Sequence, residues 1–428
     1  MTKTSSNNSK IRYFFILIIL SFFVGHTQNS VKFDHLNTEN GLSQSDVNTI
    51  FQDDEGFMWF GTHDGLNRYD GYDFKVFKPN SKNTNSISSN LIFDIVDDKT
   101  GNLWIGTTGN GLNYFDKDLE VFKTFKHDQE NKKSIVSDHI KSLFRDSSNR
   151  LWINTIKGID ILDLNLPFDS LSFKHLDFNK NSIIETNNRD IIAFIYEDSA
   201  KHIWVGSSFG LFQLSRDKIG DIYFKSINSL INLPMASVRS IAEDRFNSLI
   251  IATSNGLFRY MPEREVNKTQ RIQEGSFTTV LVDKNHIWAG TDEGLFEFSN
   301  TSKTNPIELL SLYKYDPKNP NTSLSKNLVK SLYMDNIGNV WIGTNGGGVN
   351  KFDPQRKQFN HIKNGFDSMS LSHDKVRSIF QDSKKNLWIG TEGGGLNLQT
   401  KNTRVKNSNE FKVFNIINKV FAIEEIEL

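Results

Sequence analysis

The chain has no cysteine. That absence removes disulfides, thiolate zinc sites and cysteine nucleophiles together, and it suits an oxidising compartment without requiring one. Net charge is missing too, since 50 Lys and Arg balance 50 Asp and Glu. A neutral chain has no long-range field to gather phosphates or anionic lipid. Nucleic-acid affinity rests largely on clustered cations that neutralise phosphates, so no nucleic acid is expected as the main partner. The ten His show no His-x-x-x-His or similar ligand spacing, and neither a metal nor a cofactor is expected.

Long apolar runs are nearly absent. The exception follows the basic start of Lys3, Lys10 and Arg12 and spans Tyr13 to Val24. It falls short of the about 20 apolar residues that a transmembrane helix needs and fits the apolar region of a secretory signal peptide. Residues 1–27 are therefore read as a signal peptide, with an uncleaved N-terminal anchor as the alternative. No cysteine follows, so a lipoprotein is excluded. The expected location is periplasmic. Membrane contact would come only through such an anchor or through parts that lie beyond this chain.

The length of 428 residues is too great for one compact core, and a 37% hydrophobic, 12% aromatic composition can bury a substantial one. What the sequence has in abundance is internal repetition. All seven Trp fall in one motif, seen in full as Asp53 to Thr62, Asp98 to Thr107, Asp335 to Thr344 and Asp382 to Thr391. Looser copies centre on Trp152, Trp204 and Trp288, and one more places Ile250 where the Trp belongs. The central positions 59, 104, 152, 204, 250, 288, 341 and 388 lie 38 to 53 residues apart. That spacing holds four short strands with their turns, the unit of a propeller blade.

Alternating and β-branched runs such as Val47 to Phe51 and Ile92 to Val96 precede each Asp. Gly56, Gly101, Asn149, Asn247 and Gly338 share one place in the following turn, where tight hairpins favour positive φ. All eight Pro lie between one copy's second strand and the next copy's first, away from central strands. The expected blade runs outward from the strand before the Asp, through the Trp strand and the Gly-Leu strand, to a Phe-rich outer strand. Trp59, Trp104, Trp152, Trp204, Ile250, Trp288, Trp341 and Trp388 are expected to pack between neighbouring blades, the usual use of large aromatics.

The stretches Trp341 to Asp353 and Trp388 to Leu396, with Gly-Gly-Gly after Trp-Ile-Gly-Thr and an aromatic-Asp closing the first, resemble the two-component regulator propeller repeat. The opening from Phe33 to Ser43 is similar to the start of sensors in that family, and the resemblance covers about residues 31 to 400. The copies at 152, 250 and 288 depart most from its pattern. It implies an all-β fold and the periplasmic input region of a hybrid two-component histidine kinase that recognises an oligosaccharide. The family's kinase, receiver and DNA-binding parts have no counterpart here, which leads to the expectation of an N-terminal fragment of a longer sensor.

Seven blades would span residues 28–363, with the strand around Val31 to Leu36 supplying the outermost strand of the seventh and so closing the ring. Residues 364–428 would then begin a second propeller, an eighth repeat plus the inner strand of a ninth from Asn418 to Glu425. A single eight-bladed ring is the alternative.

No catalytic residue is assigned. The motif invites comparison with the sialidase Asp box, but its carboxylates recur blade by blade as a turn element would. No pair stands out as glycoside hydrolysis requires. A scaffold for protein partners is the competing reading, and pairing with a second copy as a homodimer is left open. If a sugar binds, the expected surface is formed by the loops before each inner strand and after each Trp strand, with Gln44, Ser45, His63, Asp64, Asn110, Asn345 and Glu392 as candidate ligand-binding residues. The plainer reading of most of these is that they are turn residues at fixed offsets.

Overall fold

A computed structural model describes residues 31–176, 192–216, 222–262, 269–303, 306–354, 362–365, 370–401, 410–414 and 419–424. The signal-peptide reading lies outside these residues. The chain divides into two compact units, Met1–Gln355 and Arg356–Leu428.

In the first unit, alternating sequence becomes seven four-stranded antiparallel sheets. Blade one is typical, with strands Val47–Gln52, Met58–Thr62, Gly65–Tyr69 and Phe74–Phe77 running outward in sequence order. The innermost strands of blades two to seven are Ile92–Asp97, Ile140–Arg145, Ile192–Glu197, Val238–Glu243, Phe277–Val282 and Val329–Met334. Each adjoins the next, and the seventh adjoins the first. The seventh blade takes its outer strand from the N-terminal side: Asp34–Leu36 pairs with Val349–Phe352 in the register Asp34 to Lys351 and Leu36 to Val349. A strand from one end completing the last blade removes the open edge that a ring built from one chain would otherwise leave.

The cores lie between the blades. Trp59 packs against Ile92, Ile95, Leu103 and Phe115 of blade two, and its ring centroid is 5.6 Å from that of Phe115. Trp341 does the same across the closing seam, with Val47, Ile50 and Phe60 of blade one. The glycine of Trp-x-Gly-Thr makes this approach feasible. A Cβ on Gly61 would lie 2.7 Å from Cγ2 of Ile92, and one on Gly343 would lie 3.0 Å from Cγ1 of Val47, too close for any larger residue without displacement. Blade three replaces this glycine with Asn154, whose Nδ2 donates to the Ile192 carbonyl of blade four at 3.0 Å.

The repeated Asp organises the first turn. In blade one, Asp53 Oδ1 accepts from the backbone N–H of Glu55 and Phe57, and Oδ2 accepts from Trp59 Nε1 at 2.7 Å. The same indole bond joins Trp152 to Asp146, Trp204 to Asp198, Trp341 to Asp335 and, in the second unit, Trp388 to Asp382, each at 2.8 Å. One side chain thus caps a turn and fixes the Trp that fills the seam. The turn position read as Gly or Asn has φ of 92° at Gly56 and 61° at Asn149. Lys201 and Lys385 occupy it as well, at 70° and 67°.

The second unit holds one sheet, Val376–Gln381, Leu387–Thr391, Gly395–Gln399 and Lys412–Phe414. Of the expected inner strand of a ninth copy, Asn418 to Glu425, residues 419–424 are described. Among its described residues, Lys419 makes only an isolated bridge to Glu392. Yet a Cβ on Gly390 would meet Val420 Cγ1 at 2.6 Å, the relation Gly61 has to Ile92. Val420 thus stands where the next blade's first inner residue would stand.

Candidate functional site

The loops on the expected face are held from below. Asn67, Asn113 and Asn350, buried on third strands, accept through Oδ1 from the backbone N–H of Ser43, Ser88 and Ser325, pinning the segments that lead into the inner strands. In the next hairpin, Thr62, Thr107 and Thr344 donate Oγ1 to the carbonyls of Gly65, Gly111 and Gly348. Each inner strand also carries a bulge just after its first residue. The bulged residue is directed to the neighbouring blade, as where Asn48 Nδ2 donates to the Ile92 carbonyl at 2.8 Å and Thr278 Oγ1 donates to the Val329 carbonyl at 2.7 Å. These devices make the loop face a rigid platform on which side chains differ from blade to blade.

At the seam between blades seven and one the platform gathers a polar constellation around Asp46. Gln44 Nε2 donates to Asp46 Oδ2 at 2.9 Å, and the Asp46 backbone N–H donates to Gln44 Oε1 at 2.6 Å. His63 Nδ1 lies 3.7 Å from Asp46 Oδ2 with its ring partly exposed. The Gln44 bond, together with the charges of Lys330 and His63, holds the Asp46 carboxyl below the ordinary carboxylate range. Lys330 donates Nζ to Asn48 Oδ1 at 3.2 Å, and its burial pushes its ammonium pKa down. The Ser45 carbonyl accepts from the Gly348 N–H at 2.8 Å, and the Asn345 N–H donates to the Leu328 carbonyl, bringing the loop that bears Asn345 to the same seam. The result is one carboxylate acceptor flanked by an imidazole, an amide and an ammonium, an arrangement that can pair with neighbouring hydroxyls.

Of the seven residues singled out from sequence, Gln44 and His63 therefore meet at Asp46, while Ser45 and Asn345 belong to loops held at this seam by backbone bonds. Asp64 does not join them, because its side chain pairs with Lys78 at 2.5 Å. Asn110 belongs to blade two, where its carbonyl accepts from Ser88 Oγ. Glu392 lies in the second unit, bridged by Arg377 and Lys419. Sequence reasoning missed Asp46 and Lys330. The available signal was that Asp46 follows Gln44 and Ser45 and that Lys330 holds the bulge position of Asn48, in the loops already under suspicion. Among the described residues no group of three or more His, Asp or Glu is placed to hold a metal ion, and no helix is long and apolar enough to cross a membrane.

A family model described as two component regulator propeller matches residues 41–64, 86–109, 323–346 and 370–393. Histidine kinase P4 of Formosa agariphila is 43% identical over 77 residues, 17% of this chain and 6% of that protein. The extracellular domain of the hybrid two-component system BT3049 of B. thetaiotaomicron superposes with a TM-score of 0.66 at 24% identity, covering 91% of this chain and 50% of that one. Virginiamycin B lyase of Staphylococcus aureus gives 0.53 at 12% identity, over 75% of this chain and 99% of the lyase. At such identities the two structures speak to the fold alone, which an extracellular domain of a two-component system and an enzyme share. The chain spans about half the length of the solved extracellular domain it resembles. Each of the four segments that match the two component regulator propeller model holds one Asp turn, one Trp-x-Gly-Thr run and the start of the loop after it.

Proposed function

We propose that the chain is the ligand-sensing propeller of a two-component regulator, exported from the cytoplasm, and that it binds an oligosaccharide at the seam of blades seven and one. The observation that carries this reading is the constellation of Asp46, Gln44, His63 and Lys330. It is built from the loops of two matched repeats and set on a rigid platform. An acceptor with several donors around it suits vicinal hydroxyls, and a pocket with few fixed polar groups gives orientation and specificity. The basic start and the apolar run from Tyr13 to Val24 support export. Binding, and not catalysis, fits carboxylates that cap turns in blade after blade.

Calorimetry of the chain without residues 1–27 against a panel of neutral oligosaccharides tests the reading. One saccharide should bind, and Asp46→Asn combined with His63→Ala should weaken it at least tenfold with the melting temperature unchanged. Full affinity in that double variant removes the seam as the site. A blank panel together with capture of a defined protein partner would favour the scaffold reading.

A further inference from the structure

We propose a second ligand site, for a sugar ring bearing a carboxylate or sulfate, in the groove between blades three and four on the face that carries the Asp turns, opposite the loops of Gln44 and His63. The groove encloses 580 Å³, a volume within the range of small-ligand pockets. Its floor is apolar, with Trp152 and Ile161 of blade three and Leu214 of blade four, and Arg150, Lys174 and Lys201 stand around it.

The charge of this groove is a departure from the repeat. The place of Arg150 is held by Phe57, Asn102, Ser248 and Asn339 in other blades, and the place of Lys201 by Gly56, Gly101 and Gly338. At φ 70° Lys201 sits in a backbone region that favours glycine, as Lys385 does in the second unit. Arg150 is set in advance. Its Nε donates to buried Asp146 Oδ2 at 2.7 Å, and its guanidinium lies 5.5 Å from the Trp152 ring centroid. Its terminal amino groups make no hydrogen bond among the described residues, and a held guanidinium fork matches the geometry of a carboxylate or sulfate. Lys174 and Lys201 make no ion pair among the described residues. Among the described residues one carboxylate, Asp163, lines the groove, and its Oδ1 already accepts from the backbone and side-chain N–H groups of Asn165. Because the whole chain is neutral, the concentration of cations here is local, and its pull on an anion is short-ranged and salt-dependent. The apolar floor complements a ring face, and the cations complement the acidic group on that ring.

The test is calorimetry of the chain without residues 1–27 against digalacturonate, its dimethyl ester and a sulfated disaccharide. At least one acidic probe should bind, with affinity falling as salt rises, and the ester should bind at least tenfold more weakly than the free acid. Lys174→Gln combined with Lys201→Gln should weaken the acidic probe at least tenfold without lowering the melting temperature, whereas the Asp46→Asn, His63→Ala variant should bind it normally. That pattern separates this groove from the seam of blades seven and one. Equal binding of acid and ester, no binding of either acidic probe, or full affinity in the lysine double variant overturns the proposal.

Discussion

Blades one and five place an arginine at the same point of the third strand, and the two arginines have opposite fates. In blade one Arg68 stands opposite Trp59. The indole takes Asp53, and the guanidinium stays outside, 4.8 Å from the Phe57 ring centroid and 3.4 Å from Glu120. In blade five Arg259 stands opposite Ile250. The indole is gone, and Arg259 turns inward to 1% exposure and donates Nη2 to buried Asp244 Oδ2 at 2.6 Å. It also donates Nη1 to the Ser302 carbonyl of blade six. In these two blades the demand is kept while the residue changes: the buried turn carboxylate is met by a donor from the second or the third strand. A buried carboxylate left unmet is among the costlier defects a core can carry.

The comparison breaks most visibly at Arg259. Arg259→Leu strands Asp244 without its partner and is expected to cost about 3–5 kcal/mol, read as a lower denaturant midpoint. The matching Arg68→Leu, at the surface, is expected to stay within about 1 kcal/mol. Ile250→Trp combined with Arg259→Lys copies blade seven, where Lys351 stands opposite Trp341 with its Nζ 4.8 Å from the ring centroid. That pair should recover most of the loss. A double variant no more stable than Arg259→Leu would show that the indole does not replace the guanidinium.

A smaller effect separates blade one from blade two. Asp53 is 5% exposed and meets its Trp, so Asp53→Ala is expected to cost about 1.5–3 kcal/mol, the range for hydrogen bonds to a charged group. In blade two the Asp98 carboxylate accepts from Thr100 and Asn102, and Trp104 Nε1 is left without a partner. Asp98→Ala is therefore expected to cost about 1 kcal/mol, a capping loss alone. Equal losses at the two sites, measured by chemical denaturation, would mean that the indole bond adds nothing to the turn.

The sequence made the regular parts of this molecule legible. Strand order within a blade, the Trp residues at the seams and the outer strand lent from near the N-terminus all follow from period, turn residues and spacing, which repeat along the chain. What it concealed are relations across strands and across the ring. Arg259 becomes the partner of Asp244 only once the hairpin register puts it opposite Ile250. Lys330 and Asn48 are 282 positions apart and meet because the ring closes. Lys201 and Lys385 defied expectation because a turn fixed by its Asp can hold a lysine at positive φ. The candidate site was half visible for the same reason: offsets within one copy singled out Gln44 and His63, while the grouping around Asp46 depends on two copies meeting.

The subtlest contrast lies among the inner strands. After the bulge five blades place a hydroxyl residue, Thr49, Ser142, Ser240, Thr279 or Ser331, blade four places Phe194 and blade two places Asp94. Its Oδ1 accepts from Thr49 Oγ1 of blade one and its Oδ2 from the Leu143 N–H of blade three, so one carboxylate ties three blades. Burial pushes its pKa up to about 6, against those hydrogen bonds. The folded state thus binds this proton more tightly than the unfolded chain does. The cost of the charged form is present above the folded value and fades as pH falls through it toward 3.8. His286, whose pKa is raised chiefly by its bond to Asp283, works in the same direction, because its contribution is complete below 6.5 and is lost as pH rises. Only a difference between proteins isolates Asp94. Asp94→Ser, a residue of the sister blades, should flatten the rise in melting temperature between pH 7 and 5 by an amount worth about 1 kcal/mol or less. Part of the Asp94 surface still reaches solvent, which keeps the figure at that bound. Parallel pH profiles for the parent and the variant would mean that Asp94 is already neutral, or already solvated, in the ring.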